Sequence, residues 1–185
     1  MQKPYLVGHQ EFAALYGVKP QMVAKWLTRG VLDSATAIVI SGVRYWPLGF
    51  AARYGATTPR PKPVDVQAKE RLIAQQGEGW EADLGEELPP IVGQREIVQL
   101  FRLPAQGNLS TAIAAGRFVD SDWKLSGSQL WLLDTVIEAG AALRKSAHTV
   151  PWEVDEAVAA ALREGTYGGP GSRVLTRGPY ARTVL

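Results

Sequence analysis

Two separated blocks of the sequence recur at a spacing of 85 residues, and this internal repeat constrains the fold more than any other feature. The first block, LVGHQEFAALYGV from Leu6, matches IVGQREIVQLFRL from Ile91. The second block, SGVRYWPLGFAARYGA from Ser41, matches SGSQLWLLDTVIEAGA from Ser126. Both blocks return at one spacing, although the segment between them shifts by one residue. We therefore interpret the chain as an internal duplication.

The first copy predicts a helix, a glycine turn, a second helix, a hairpin and a last short helix. Phe12 and Tyr16 recur at helical spacing, and Gly17 follows where the chain must turn. The segment KPQMVAKWLTRG starts a second helix with proline in its first turn. β-Branched residues on both sides of Ser41 and Gly42 predict a small hairpin. This order of elements is the plan of a winged helix-turn-helix.

Residues 5–56 resemble the DNA-binding domain of the MerR-like and phage excisionase-like families. The motifs that carry the resemblance are YGV at the end of the first helix, Trp26 within the second, an RGVL exit and a GVRYW wing. The resemblance implies that the second helix enters the major groove and that the wing contacts the DNA backbone. The coiled coil and effector-binding part that follow in full MerR regulators are not evident, so sensing of a metal or drug is not implied.

The outer face of the second helix carries candidate DNA contacts. Lysine and arginine there would neutralise phosphates and make binding salt-dependent, while glutamine near the helix N-terminus can pair bidentately with adenine. The wing arginine would meet the DNA backbone or minor groove, with a structural ion pair as the alternative. Residues 1–64 hold eight Lys/Arg and two Asp/Glu, which favours a polyanionic partner. The candidates in this copy are Lys19, Gln21, Lys25, Arg29 and Arg44.

The second copy departs from this pattern in the residues that would contact DNA. Its second helix contains no lysine, and Gln129 replaces Arg44. Arg102 replaces Gly17, so we expect the turn between its helices to be made differently. Two interpretations stay open: this copy reads DNA weakly through polar side chains, or it serves as a dimerisation or partner-binding module. The polar candidates for the first are Gln106, Asn108, Ser110 and Thr111, and Arg117 is a basic candidate nearby.

The predicted fold is mainly α with small β wings, arranged as tandem winged helix-turn-helix domains with a C-terminal helix and an extended tail. Domain 1 spans residues 1–56, a Pro-rich and acidic linker with a short helix spans 57–90, and divergent domain 2 spans 91–145. A helix over 146–165 and a basic Gly-rich tail over 166–185 follow. Arg173 and Arg177 predict an arm that binds DNA or a protein surface; the alternative is a disordered tail without a site.

Composition excludes several other classes of function. The chain has no cysteine, so a disulfide, a thiol nucleophile or a thiolate zinc site is impossible. No catalytic or metal-binding constellation is evident, and we expect neither an enzyme nor a cofactor. No apolar run is long enough to cross a bilayer, and the N-terminus lacks a secretory pattern. We therefore expect a cytoplasmic protein without a membrane partner.

These features predict a sequence-specific protein that binds double-stranded DNA. Its role would be that of a phage- or mobile-element-type transcriptional regulator, or of an excisionase-like factor that directs recombination. The alternative is a phage packaging or structural protein, such as a small terminase subunit or connector, in which the same fold serves protein contacts in an oligomer. A protein partner or self-association would use domain 2 or the tail.

Overall fold

The computed structural model describes residues 2–145 and 150–170, so Arg173 and Arg177 lie outside the described residues. Within these ranges one order of elements occurs twice. We call residues 6–76 repeat 1 and residues 91–164 repeat 2. The elements are β1 (Lys3–Pro4), β2 (Leu6–Val7), α1 (His9–Leu15), α2 (Pro20–Thr28), β3 (Ile38–Ile40), β4 (Val43–Pro47), α3 (Leu48–Thr57), α4 (Val66–Gln76), β5 (Gly79–Trp80), β6 (Ile91–Val92), α5 (Gln94–Leu100), α6 (Gln106–Ala114), β7 (Trp123–Leu125), β8 (Ser128–Leu132), α7 (Leu133–Arg144) and α8 (Glu156–Glu164).

Each repeat contains one small antiparallel sheet. The strand order is β2-β4-β3 in repeat 1 and β6-β8-β7 in repeat 2. Ser41 and Gly42 close the first hairpin with φ of 49° and 80°, and Ser126 and Gly127 close the second with 47° and 78°. Positive φ at both central residues gives the turn whose twist matches that of the paired strands. The prediction of a mainly α-helical fold with small sheets is confirmed.

The turn between the first two helices is the same in both repeats, which corrects the expectation for repeat 2. Gly17 adopts φ of 61° in repeat 1, and Arg102 adopts φ of 47° at the same place in repeat 2. A non-glycine residue rarely takes this left-handed conformation. Arg102 adopts it here, and its guanidinium pairs with Asp155, the residue that caps α8, at 2.8 Å.

A fourth helix completes each repeat. The main-chain N–H of Asp65 donates to Leu15 O at 2.7 Å, and that of Asp155 donates to Leu100 O at the same distance. Both aspartates cap the helix that follows them, α4 or α8. Helix α4 lies in the range that the sequence analysis assigned to a linker, and it buries Leu72 against the core of repeat 1. The duplicated unit is therefore larger than the sequence alignment indicated.

A separate core lies between the two repeats. It is formed by the sheet faces of both repeats, together with Ala82 and Leu88 from the acidic connecting segment. Trp123 of repeat 2 is 2% exposed, and its indole N–H donates to Pro4 O at 3.1 Å. The two sheets are thus packed together, and the hairpins do not project freely into solvent. Repeat 1 contributes Leu6, Ile38, Ile40 and Tyr45, and repeat 2 contributes Ile91, Trp123, Leu125, Leu130 and Leu132.

Two reciprocal sets of hydrogen bonds join each hairpin turn to the other repeat, and we call them the latches. In the first latch, Ser41 donates its main-chain N–H and its hydroxyl to the two carboxylate oxygens of Glu96, at 2.9 and 2.5 Å. In the second latch, Ser126 donates the same two groups to Glu11, at 2.7 and 2.6 Å. Both glutamates lie in the first turn of a helix, α5 or α1. The two repeats are therefore held by the same contact made in both directions.

Candidate nucleic-acid interface

Helix α2 has one face in the core of repeat 1 and the other in solvent. Val23 is fully buried, and Trp26 lies against the core with its ring centroid 6.0 Å from that of Phe12. Pro20 occupies the first helical position, where its missing N–H needs no partner. The solvent side of the helix and its two ends therefore present three cations and one carboxamide: Lys19, Gln21, Lys25 and Arg29.

The acidic residues of the connecting segment neutralise cations elsewhere in repeat 1. Asp83 pairs with Arg53 of α3, and Glu81 pairs with Lys69 of α4 at 2.6 Å. Across the part of the chain that the structure describes, no salt bridge involves Lys19, Lys25, Arg29 or Arg44. The positive charge of this face is therefore uncompensated within the described fold, which is the electrostatic condition for attracting a polyanion.

The hairpin of repeat 1 adds Arg44 to the exposed cations. Arg44 lies on β4 opposite Val39, and its side chain is exposed. Burial lowers the pKa of the nearby His9 imidazole, and the positive charge of Arg44 lowers that pKa further. The His9 ring stacks at a tilt on Trp46, 5.5 Å between centroids. The turn of this hairpin contacts repeat 2 through Ser41, so a contact between the hairpin and a ligand would involve Arg44 and not the turn.

Repeat 2 has no cations at the positions that correspond to those of α2. In repeat 1, Leu32 N–H donates to Trp26 O, and in repeat 2, Phe118 N–H donates to Ala112 O. These bonds align Trp26 with Ala112 and set the register of the two helices. In that register Ala105, Thr111 and Ala115 replace Lys19, Lys25 and Arg29. The equivalent face of α6 is therefore uncharged.

The remaining candidates of repeat 2 are exposed or partly exposed around α6. Gln106 donates from its carboxamide to Gln94 at 3.3 Å. Asn108 accepts from Ala105 N–H at 3.2 Å, which is a helix-capping contact. Ser110 and Arg117 are exposed. Of these residues, Asn108 thus already has a structural role, and Arg117 stands alone as a cation just beyond the helix.

None of the described helices combines the length and the apolar character needed to cross a bilayer. Comparisons with protein-family models, with curated proteins and with solved structures give no match to this chain. The case for a function therefore rests on the surface of repeat 1.

The latch residues were not among the predicted site residues, although the sequence carries a signal for them. Glu11 and Glu96 occupy matching positions of the two copies, and so do the hairpin pairs Ser41-Gly42 and Ser126-Gly127.

Proposed function

We propose that this chain binds double-stranded DNA sequence-specifically through repeat 1, as one of two winged helix-turn-helix units. The observation that carries the proposal is the difference between the repeats. Repeat 1 exposes four cations on α2 and β4 that have no ion-pair partner in the described parts of the chain. Repeat 2 has uncharged residues at all four places. A purely structural face would need no such difference.

In this proposal α2 enters the major groove, which is wide enough for one helix. Lys25 and Arg29 neutralise phosphates, and the release of counterions drives binding. Gln21 lies in the first turn, where side chains reach base edges, and its carboxamide can pair with adenine. Arg44 contacts the backbone beside the groove. Phosphate contacts supply affinity and orientation, and Gln21 supplies sequence discrimination.

In this proposal repeat 2 supports the fold of repeat 1 and does not itself read DNA. The latches and the shared core hold the hairpin of repeat 1 against repeat 2, which fixes Arg44 relative to α2. A symmetric dimer has two equal reading faces and therefore recognises a palindromic site. This chain has one charged face, so we expect it to recognise an asymmetric site. This suits a transcriptional regulator or an excisionase-like recombination factor of a phage or mobile element.

Selection of bound fragments from random duplex DNA tests the proposal. The full chain should enrich one asymmetric motif. Gln21→Ala should keep most of the affinity but relax one position of that motif, by about 1–3 kcal/mol of discrimination if Gln21 reads adenine. Gln106→Ala, which removes a carboxamide from the matching end of α6, serves as the control and should leave the motif unchanged. Failure of the full chain to retain any duplex DNA would refute the proposal.

A further inference from the structure

Repeat 1 contains an open groove of about 660 Å³ beside the cationic face of α2. The groove runs between α2, the end of α3 and residues 58–62 that follow it. Its floor is aromatic and aliphatic, and cations stand along its rim. The residues that define it here are Tyr16, Trp26 and Tyr54 of the floor, and Arg29, Arg60 and Lys62 of the rim.

The groove combines exposed apolar surface with unpaired positive charge. Val31 at its edge is 42% exposed, and Trp26 is partly exposed although its other contacts are in the core. No aspartate or glutamate is among the described residues that line it. Arg29, Arg60 and Lys62 make no salt bridge within the described ranges. An occupant that covers this surface would gain from burying the apolar floor and from pairing with the rim.

The corresponding region of repeat 2 is filled by a side chain of its own. Lys62 and Trp152 each stand three residues before the equivalent capping residues Asp65 and Asp155. Trp152 is 4% exposed and packs edge-on against Phe101 at 5.4 Å between centroids. In repeat 1 the residue that corresponds to Phe101 is Tyr16, and the ring of Trp26 lies against it at 6.2 Å between centroids. Each repeat therefore covers this aromatic ring with an indole of its own, and in repeat 1 part of that indole faces the groove.

We propose that the groove is a docking site for an acidic segment of a partner protein, which lays an aromatic side chain over Trp26 and pairs its carboxylates with Arg29, Arg60 and Lys62. Charge complementarity selects an acidic segment, and the exposed apolar surface around Trp26 and Val31 selects an aromatic anchor. Duplex DNA is a poorer occupant, because its phosphates and base edges gain nothing from an apolar floor. Of the residues proposed to contact DNA, Arg29 also lines the groove, whereas Gln21, Lys25 and Arg44 do not. The docking site therefore adjoins the DNA-binding face and shares Arg29 with it.

The test uses a short fluorescein-labelled peptide in which one tryptophan is flanked by glutamates, titrated with the full chain and followed by anisotropy. A second peptide has serine in place of the tryptophan. We expect the tryptophan peptide to bind at least about tenfold more tightly than the serine peptide. The exposed double substitution Arg60→Glu with Lys62→Glu should weaken its binding by about tenfold or more. Arg71→Glu, on α4 and away from the groove lining, should leave binding unchanged.

A second variant separates the groove from simple charge attraction. Val31→Ser removes apolar surface at the edge of the groove without changing its charge. It should weaken the tryptophan peptide and leave duplex DNA binding intact, with circular dichroism as a check on folding. Lys25→Ala should weaken DNA binding and spare the peptide. Equal binding of the two peptides would overturn the proposal, and so would unchanged binding by the Arg60/Lys62 charge-reversal variant. If that variant lost DNA affinity alone, the groove would instead belong to the DNA surface.

Discussion

The carboxylate of Glu11 in repeat 1 accepts hydrogen bonds from both the main-chain N–H and the hydroxyl of Ser126 in repeat 2, at 2.7 and 2.6 Å. The Ser126 hydroxyl also accepts from the main-chain N–H of Gln10 at 3.1 Å. Glu96 and Ser41 make the same contact in the opposite direction. Each hairpin turn thus closes the exposed first turn of a helix in the other repeat, and it supplies hydrogen bonds that the helix cannot make for itself.

The second latch requires glycine at position 8, and a larger residue there should disrupt the hydrogen bonds between Ser126 and Glu11. A Cβ atom on Gly8 would overlap the Ser126 hydroxyl. We expect Gly8→Ala to destabilise the protein by about 1–3 kcal/mol, as overpacking does elsewhere, measured by urea unfolding. Gly107→Ala in α6 is the control, because no heavy atom crowds that site and alanine favours a helix. Equal stability of the Gly8→Ala variant and the parent chain would contradict the close approach.

Glu96 and Ser41 should be energetically coupled. Glu96 is fully buried, and its carboxylate also accepts from Gly93 N–H at 2.9 Å. Hydrogen bonds to a charged group contribute about 1.5–3 kcal/mol. A double-mutant cycle with Glu96→Ala and Ser41→Ala should therefore show a coupling energy above about 0.5 kcal/mol. Additive effects on the free energy of unfolding would show that the first latch does not hold the repeats together.

The pKa of His9 should respond to the charge of Arg44. Burial lowers the pKa of His9 below its ordinary value of 6.5, and the charge of Arg44 lowers it further. Because the folded state favours the neutral ring, His9 stabilises the fold above its ordinary pKa and loses that contribution as pH falls through the folded value. Arg44→Gln, which copies the residue of repeat 2, should raise the pKa of His9 in an NMR titration. Lys19→Gln is the charge-matched control; a His9 pKa that responds equally to both variants would argue against a local effect of Arg44.

The inter-helix turns should respond oppositely to substitution in the two repeats. Gly17 has φ of 61° and open space around it, so Gly17→Ala should destabilise by about 1 kcal/mol through backbone strain alone. Arg102→Gly relieves the strained backbone at φ of 47° and removes only an exposed ion pair. We expect its melting temperature to stay at or above that of the parent chain. A clear loss of stability would show that the pair with Asp155 is needed to hold the turn.

Local features of the fold could be predicted from the sequence, and long-range contacts could not. The hairpin turns follow from Ser-Gly pairs between β-branched residues, and the exposure of Lys25 follows from the apolar spacing around Val23. The second latch joins residues 115 positions apart, and helical spacing carries no information about how the repeats face each other. The ion pair of Arg102 with Asp155 likewise joins residues that are far apart in the sequence. For the same reason the groove between α2 and residues 58–62 left no local signal.

The salt dependence of duplex DNA binding tests the central claim most directly. The logarithm of the association constant should fall linearly with the logarithm of salt concentration, by about 0.9 for each phosphate contact. Lys25→Ala and Arg29→Ala should each weaken binding and reduce that slope by about one unit. Arg71→Ala removes the same charge from α4 and should leave the slope unchanged. If all three variants bound duplex DNA with the slope of the parent chain, α2 would not be the DNA-reading helix.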